Sequence, residues 1–306
     1  MKVRIGVGLG TLPAGGNGST PTGAGGSGGF ATVIDRMAEL GFDSIWLPEI
    51  LTAPTLDPLS GLSFAAARHP RLKLGTTMLL PGRNLVRLAK ELATLDVLSD
   101  GRLLVTLVPG IRRPRESAAA GVRPASRGER MDEMLPLLRR LWAGETVAHD
   151  GPAGRLEDVR VEPVPFQQPL EVWTGGLAPA ALERCGRLAD GWLPSACTPD
   201  EVAERRPVVE EAASRAGRSI SPEHFGVSIG YSSVPLDATT TQMLSSLRKG
   251  VDPARVIPVG LGGLRATLER FLDVGFSKFV VRPIQPPPSW TDELDRLAAA
   301  VLDLQT

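Results

Sequence analysis

The chain has 306 residues, of which 42% are hydrophobic, enough to bury a large core. Its 34 Lys and Arg residues balance 34 Asp and Glu residues, so the charge gives no reason to expect a nucleic acid or a membrane surface as partner. The start of the chain does not read as an export signal, and apolar runs stay shorter than about 18 residues, so we expect neither export nor membrane spanning. The two cysteines form no CxxC pair, which favours a reducing cytoplasm.

The predicted strands recur at the spacing of a repeated strand–helix unit. Runs rich in Val, Ile and Leu alternate with amphipathic stretches, and the third run is apolar almost throughout, as expected of a strand covered on both faces. We predict eight strands, at residues 3–9, 44–48, 72–80, 102–108, 171–174, 191–194, 226–231 and 279–282.

The helices between these strands carry start and stop signals. Asn84 is a good N-cap for the helix that ends before Gly101, and Pro179 suits a first helical position. Gly41 and Gly144 follow two other helices as C-terminal stops. The predicted helices lie at 30–40, about 57–69, 84–100, 128–143, 179–188, 199–216, 239–249, 263–274 and 290–304.

Two segments interrupt the alternation. Residues 145–169 are rich in Gly and Pro and contain short alternating runs, which predicts an extra hairpin before strand 5. Residues 11–29 consist almost entirely of small and polar residues and follow strand 1. Such a stretch cannot bury enough apolar surface to order itself, so we predict either a disordered insertion or a mobile lid.

Eight strands, each followed by a helix, predict an α/β fold that is a closed (β/α)8 TIM barrel. We expect residues 1–306 to form one domain, with the excursion before strand 5 and the glycine-rich insertion after strand 1. An open doubly wound sheet is the alternative, but the predicted strands lack a dinucleotide-binding fingerprint.

The active site of such a barrel lies at the carboxyl ends of the strands, where this chain has few side chains that could act as a general acid or base. The histidines at 69, 149 and 224 fall elsewhere, so we expect no metal site. Lys73 and Lys278 lie at strand starts, the wrong end for a Schiff base. We therefore expect the chemistry of a bound organic cofactor acting on a small-molecule substrate.

A few polar side chains do lie at the strand ends. We assign Glu49, after strand 2, a catalytic role near the cofactor, with a solvated loop carboxylate as the alternative. Tyr231, at the end of strand 7, fits a site residue and a core residue equally. The candidate contacts to a substrate or an anion are Arg112, Arg113, Tyr231 and Arg282.

The turn before Pro179 is the candidate phosphate anchor. Gly175 and Gly176 expose backbone N–H groups at a helix N-terminus, where phosphate is commonly held, and a plain turn is the alternative. Other residues at the strand ends that are placed to meet a cofactor are Thr76, Thr77, Met78, Pro109, Gly110 and Thr174.

Four runs of the sequence resemble the luciferase-like monooxygenase family. They are DSIWLPEILTAPTLDP at 43–58, RLKLGTTMLLPGRNLVRLAKELATLDVLSDGRL at 71–103, GERMDEMLPLLRRLWAGE at 128–145 and LEVWTGGLAPAALERCGRLADGWLPS at 170–195. Together they cover most of residues 1–195 in the order and spacing of the family. The arginine-rich composition is most similar to the branch that uses the deazaflavin F420, while other members use reduced FMN.

The resemblance implies a cofactor ring in the barrel mouth and site residues around it. Glu49 matches a position that contacts the cofactor or donates a proton, and the turn of Gly175, Gly176 and Leu177 matches the one that holds its phosphate. The pair Thr77–Met78 matches a place where the family often has a bulge or a non-proline cis peptide. A homodimer, and for some members a separate cofactor reductase, are also implied.

Strand 4 departs from the family pattern. Members often carry GxGxG at its end, whereas this chain reads TLVPGI from Thr106 to Ile111. Our leading hypothesis is an F420-dependent oxidoreductase that transfers a hydride to or from a small organic substrate. The alternatives are an FMN-dependent monooxygenase that uses O2 and a reductase, and a non-catalytic barrel that binds a flavin or another ligand.

Overall fold

Eight parallel strands form a ring in this computed structural model, which describes residues 1–10, 27–110, 114–248 and 250–306. In chain order the strands are β1 Arg4–Gly8, β2 Ser44–Pro48, β3 Lys73–Leu79, β4 Leu103–Val108, β5 Val147–Gly151, β6 Gly154–Val159, β7 Val172–Thr174, β8 Gly191–Trp192, β9 Gly226–Tyr231 and β10 Lys278–Pro283. Thus β1–β4 and β7–β10 are the eight predicted barrel strands, with bounds within two residues of those expected.

The helices cover the outside of this ring. They are α1 Ser27–Leu40, α2 Pro58–Arg68, α3 Leu85–Leu98, α4 Pro114–Ala119, α5 Arg127–Trp142, α6 Pro179–Leu188, α7 Pro199–Arg215, α8 Ala238–Leu247, α9 Pro253–Val256, α10 Gly260–Asp273 and α11 Trp290–Val301. The sequence did not predict α4 and α9, because helices of six and four residues are too short to show a helical period.

Contacts between the two end strands of the sheet close the ring. The strand order is β8-β7-β4-β3-β2-β1-β10-β9, and every neighbouring pair is parallel. Bridges Trp192–Phe225 and Ser195–Ser228 join the ends, and the Ser228 N–H donates to the Pro194 carbonyl at 2.9 Å. The fold is therefore the predicted TIM barrel, and the open-sheet alternative is wrong.

The excursion before strand 5 is the predicted hairpin. Strands β5 and β6 pair antiparallel and pack on α5 through Glu133. The Glu133 carboxylate pairs with the His149 ring and accepts the Ala153 N–H at 2.7 Å. Most of the predicted lid or insertion, residues 11–26, lies outside the described residues, and α1 begins at Ser27, three residues before the expected start.

Strand alternation divides each barrel strand between two environments. Outward side chains such as Ile5, Ile45 and Leu74 are fully buried beneath the helices in the main core.

The Asn84 side chain accepts the Arg87 N–H at 2.9 Å, which confirms the predicted cap of α3. Within the described part of the chain, no helix is both long and apolar enough to cross a membrane.

Candidate functional site

The carboxyl ends of the barrel strands form one mouth, and strand alternation decides which side chains reach it. On β3, Thr77 points toward the barrel interior, whereas Thr76 and Met78 are fully buried on the helix side. Thr76 donates its hydroxyl to the Leu47 carbonyl at 2.9 Å. Of the three β3 residues predicted to bind cofactor, only Thr77 therefore presents its side chain to the mouth.

The expected irregularity of β3 is not found. Strand β3 keeps continuous register with both neighbours, with Thr77 opposite Thr106 and Met78 opposite Leu107. The two cis peptide bonds of the described residues precede Pro163 and Pro169, and the Thr77–Met78 bond is trans. The bulge or cis peptide that the family resemblance implied is thus wrong for this chain.

Arg282 carries the one cationic side chain on β10 that projects into the mouth. It lies opposite Gly230 of β9, and on the other side it packs beside Gly8 of β1. A Cβ added to Gly8 would lie 3.2 Å from the Arg282 Cβ, and one added to Gly230 would lie 3.8 Å from its guanidinium Nη2. The neighbouring strands therefore present glycines beside the arginine, which leave room for its side chain.

The guanidinium of Arg282 has no hydrogen bond or ion pair with any residue that the structure describes. Burial lowers the pKa of Arg282, but a guanidinium stays protonated in proteins. A partly buried cation without a counter-charge costs free energy unless a ligand supplies an acceptor. Arg282 is accordingly the predicted anion contact that the geometry favours most, and the contact itself stays a prediction.

Glu49 lies at the mouth, but its carboxylate is engaged. Its side chain is 6% exposed, and one oxygen accepts the Leu79 N–H at 2.7 Å while the other pairs with Arg83. The Glu49 N–H donates to the Thr77 carbonyl at 2.8 Å. Glu49 thereby ties the end of β2 to the end of β3, and the solvated-loop alternative is wrong. Its catalytic role stays a prediction.

The turn after β7 exposes backbone rather than side chains. Thr174 is buried on the helix side beside Cys185, so its hydroxyl does not face the mouth. Gly176 has a φ of +102°, which glycine adopts without strain. A Cβ on Gly175 would lie 2.9 Å from the Leu193 carbonyl oxygen, so a larger residue at this position would displace the backbone.

Helix α6 follows this turn with no side-chain cap at Ala178. Most other helices of the described chain are capped by a side chain, as at Asp57, Asn84 and Thr198. The N–H groups of the 175–178 turn are therefore candidates to bind an anion, whereas in the first turn of α6 Pro179 has no N–H and the Ala181 N–H donates to the Ala178 carbonyl at 2.8 Å. Phosphate binding at Gly175, Gly176 and Leu177 stays a prediction.

The loop after β4 crosses the same face. Pro109 and Gly110 are partly exposed, and the Arg127 guanidinium donates to the Gly110 carbonyl at 3.1 Å. The predicted anion contacts Arg112 and Arg113 lie outside the described residues.

Sequence reasoning missed Glu116, which anchors this loop. Its buried carboxylate accepts the Leu51 N–H at 2.7 Å and the Thr52 hydroxyl at 2.7 Å. It lies in the short helix α4, which leaves no periodic signal, so its partner 64 residues upstream was not foreseeable.

Tyr231 lies on the helix side of the barrel wall. The side chain is fully buried, and its hydroxyl donates to the Glu293 carboxylate of α11 at 2.6 Å. Burial and this carboxylate both raise the pKa of Tyr231. Because β9 turns its odd-numbered side chains away from the axis, the substrate-contact prediction is wrong and the core interpretation is correct.

The remaining reactive groups lie apart from the mouth. Cys185 and Cys197 are free and buried, and burial raises the pKa of each thiol to about 12. Neither thiol is therefore activated as a nucleophile. The described part of the chain holds no group of three or more metal-binding side chains.

The described residues thus form a closed barrel with an uncapped helix N-terminus and, at the mouth, an arginine that has no partner among them. The family Luciferase-like monooxygenase matches residues 9–255. The chain belongs to this family.

Individual relatives are about 30% identical to the chain over the aligned residues. Sulfoquinovose monooxygenase of Agrobacterium fabrum is 31% identical over 192 residues, covering 61% of this chain and 48% of the relative. F420-dependent glucose-6-phosphate dehydrogenase of Microbacterium testaceum is 29% identical over 196 residues, covering 59% and 57%. The chain thus spans about half the length of the curated relatives it matches.

Monooxygenase RslO1 of Streptomyces bottropensis is a solved structure with the same architecture. It superposes with a TM-score of 0.77 and 25% identity, covering 98% of this chain and 99% of that one. A type II Baeyer-Villiger monooxygenase of Pseudomonas putida, solved in complex with FMN, shares the fold with a TM-score of 0.72 and 18% identity, covering 100% of this chain and 99% of that one.

Proposed function

We propose that the protein is an F420-dependent oxidoreductase, in which a hydride passes between the deazaflavin and a small organic substrate. The observation that carries the proposal is the guanidinium of Arg282 at the barrel mouth, which has no hydrogen bond or ion pair with a described residue. The tail of F420 carries phosphate and carboxylate groups, and the mouth offers a cation and open amides to such groups.

The residues present fit the cofactor in two places. The turn at Gly175–Gly176 and the uncapped start of α6 suit the phosphate, because backbone N–H groups and the helix dipole both favour negative charge. Arg282 suits a second anionic or carbonyl group of the cofactor or of the substrate. When bound, F420 supplies the two-electron chemistry that the side chains of this chain lack.

In this proposal Glu49 fixes the end of β2 against the end of β3, and it remains the candidate proton donor. Both of its oxygens are engaged, so exchanging a proton with a ligand requires the contact to Arg83 or to the Leu79 N–H to open. Its charge also fixes Arg83, whose guanidinium lies 3.8 Å from Glu91 on α3.

Titration of the purified protein with F420 and with FMN tests the proposal, read by quenching of tryptophan fluorescence. We expect F420 to bind, and the Arg282→Met variant to bind it about tenfold to a hundredfold more weakly, as expected for one charge-assisted contact. Arg155→Met, on the exposed hairpin, is the matched control and should bind as the parent does.

Tight FMN binding without F420 binding would replace the proposal with an FMN-dependent monooxygenase that uses O2 and a reductase partner. The monooxygenase names of two of the relatives described above support that candidate. Binding of neither cofactor would point to a non-catalytic barrel. We also propose that the protein works in the cytoplasm as a homodimer, which sedimentation at several concentrations tests.

A further inference from the structure

A second cavity opens at the opposite end of the barrel from the mouth. It encloses about 190 Å³ and is lined by inward-facing side chains from the amino-terminal halves of the strands. We call it the basal cavity and define it by Trp46, Leu104, Thr106, Trp173, Leu193 and Val280. The lining does not include Arg282 or the α6 turn, so this cavity is separate from the proposed cofactor site.

Glycines at inward-facing positions make room for the two indoles of the cavity wall. A Cβ added to Gly75 would lie 2.1 Å from the Trp46 ring, and one added to Gly191 would lie 2.4 Å from the Trp173 ring. Each indole therefore fills the space that a side chain on the facing glycine would need. Layers of bulky side chains normally fill a TIM barrel, whereas here the lowest layer is incomplete.

The walls of the cavity are apolar and incompletely covered. Trp46, Leu193 and Val280 form a small cluster apart from the main core, and Leu104 and Trp173 pack on it while staying partly exposed. Apolar surface exposed inside a concave site is typical of a ligand pocket, because a ligand removes it from water.

One polar group in the lining has no partner. The Thr106 side chain is 1% exposed, and its hydroxyl makes no hydrogen bond with any residue the structure describes. A buried hydroxyl left unsatisfied costs about 1–3 kcal/mol. A ligand that brings a hydroxyl to the inner end of the cavity removes this cost.

The rim on one side of the opening is cationic. Arg4 and Lys73 share one carboxylate, that of Asp43, at 3.3 Å and 3.0 Å. The Lys73 ammonium has this single acceptor among the described residues, so two of its three N–H donors remain for a ligand.

The other side of the rim carries two carboxylates. Lys278 lies 3.5 Å from Glu223 and donates to the Lys2 carbonyl at 2.6 Å. His224 lies 3.6 Å from Glu171 and packs against Trp173 with ring centroids 5.5 Å apart. Counting His224 as neutral, the three cations of the rim match its three carboxylates, and Lys73 is the cation with the most N–H donors left for a ligand.

We propose that the basal cavity binds a small aromatic carboxylate whose ring carries a hydroxyl group opposite the carboxylate. The ring lies between the indoles of Trp46 and Trp173. The hydroxyl contacts Thr106, and the carboxylate contacts Lys73. The inference is independent of the F420 proposal, because the lining of the basal cavity includes neither Arg282 nor the turn before α6. No bond is made or broken, so the site is one of binding and not of catalysis.

Calorimetric titration of the full chain with three probes tests this assignment. The probes are 4-hydroxybenzoate, benzoate, which lacks the hydroxyl, and 4-hydroxybenzyl alcohol, which lacks the charge. We expect 4-hydroxybenzoate to bind tightest. Thr106→Val, which keeps the volume, should weaken 4-hydroxybenzoate by about tenfold and leave benzoate unchanged. Lys73→Met should weaken both carboxylates and leave the alcohol unchanged.

Arg282→Met serves as the control at the other end of the barrel and should change none of these affinities. Circular dichroism during thermal unfolding confirms that each variant is folded. Absence of binding at millimolar 4-hydroxybenzoate would overturn the proposal. Equal binding by the parent, Thr106→Val and Lys73→Met proteins would also overturn it, and so would binding that Arg282→Met removes.

Discussion

Tyr231 of β9 and Glu293 of α11 form a buried hydrogen bond of 2.6 Å that joins the barrel wall to the last long helix. Glu293 is 2% exposed, and Arg296 one turn further on supplies its counter-charge. Tyr231 therefore contributes to the packing between the barrel wall and α11.

Replacing Tyr231 by Phe should lower the free energy of unfolding by about 1–3 kcal/mol, because a buried carboxylate loses a hydrogen bond. Urea unfolding followed by circular dichroism measures this change. Cofactor affinity should stay at the parent value, since the side chain faces away from the mouth. A variant of unchanged stability that binds cofactor poorly would show that Tyr231 reaches the site after all.

Arg282 should show opposite effects on stability and on binding. Arg282→Met removes a partly buried cation that has no partner among the residues the structure describes, so we expect the ligand-free protein to become more stable by about 1 kcal/mol. The same change should weaken F420 binding, as argued above. Denaturant unfolding with and without F420 separates the two effects, and a loss of stability in the ligand-free protein would mean that the guanidinium has a structural partner.

Glu49 and Arg83 should be distinguishable by paired variants. If Glu49 donates a proton, Glu49→Gln should bind cofactor normally and turn over at least about tenfold more slowly, while Arg83→Met should keep most of its turnover. If Glu49 positions the strand ends, both variants should weaken cofactor binding together, because each breaks the same ion pair.

Measured Kd and kcat for the two proteins decide between these roles. A pH profile of turnover provides the second readout, since a proton donor removes one limb of the profile when it is replaced and a positioning residue does not. Unchanged turnover and binding in Glu49→Gln would exclude both roles.

Glu201 should contribute to the acid stability of the protein. Burial alone would raise its pKa, but the Arg248 guanidinium at 2.6 Å and the Thr198 N–H outweigh burial and lower it. A carboxyl with a lowered folded pKa stabilises the fold above its unfolded pKa of about 4.3, and this contribution is lost as the pH falls through the folded value.

Glu201→Gln should therefore reduce the free energy of unfolding at pH 7 and flatten its fall below about pH 4. Urea unfolding at several pH values measures both quantities. Glu204→Gln is the matched control, because Glu204 on the same helix is 77% exposed and should change neither. An equally steep pH dependence in Glu201→Gln would remove this carboxyl from the acid response.

Much of the fold could be predicted because it depends on local patterns. The bounds of β2 and β9 and of α6 agree with those expected, since runs of apolar residues and flanking Gly or Pro mark them directly. The Asn84 cap is likewise a local hydrogen bond, and the hairpin at β5–β6 follows from its glycines.

The mouth was only partly predictable, because the direction of a side chain depends on the register of its strand in the ring. Thr76, Thr77 and Met78 looked equivalent in sequence, and closure of the barrel turned only Thr77 inward. A shift of one residue would reverse all three. Glu116 and its contacts to Leu51 and Thr52 likewise exist only after the chain has folded.

The sequence by itself determined the alternation of strands and helices, the barrel and the glycine turn before α6, because each arises from neighbours along the chain. Only the tertiary structure decided that Tyr231 belongs to the core and that Arg282 has no partner in the described part of the chain. The side chain of Arg282 has room at the mouth because its two neighbours across the strands, Gly8 and Gly230, are glycines from distant parts of the chain. The physical reason is that closing the barrel brings three strands together, and their combined side chains set the charge and the space at each point.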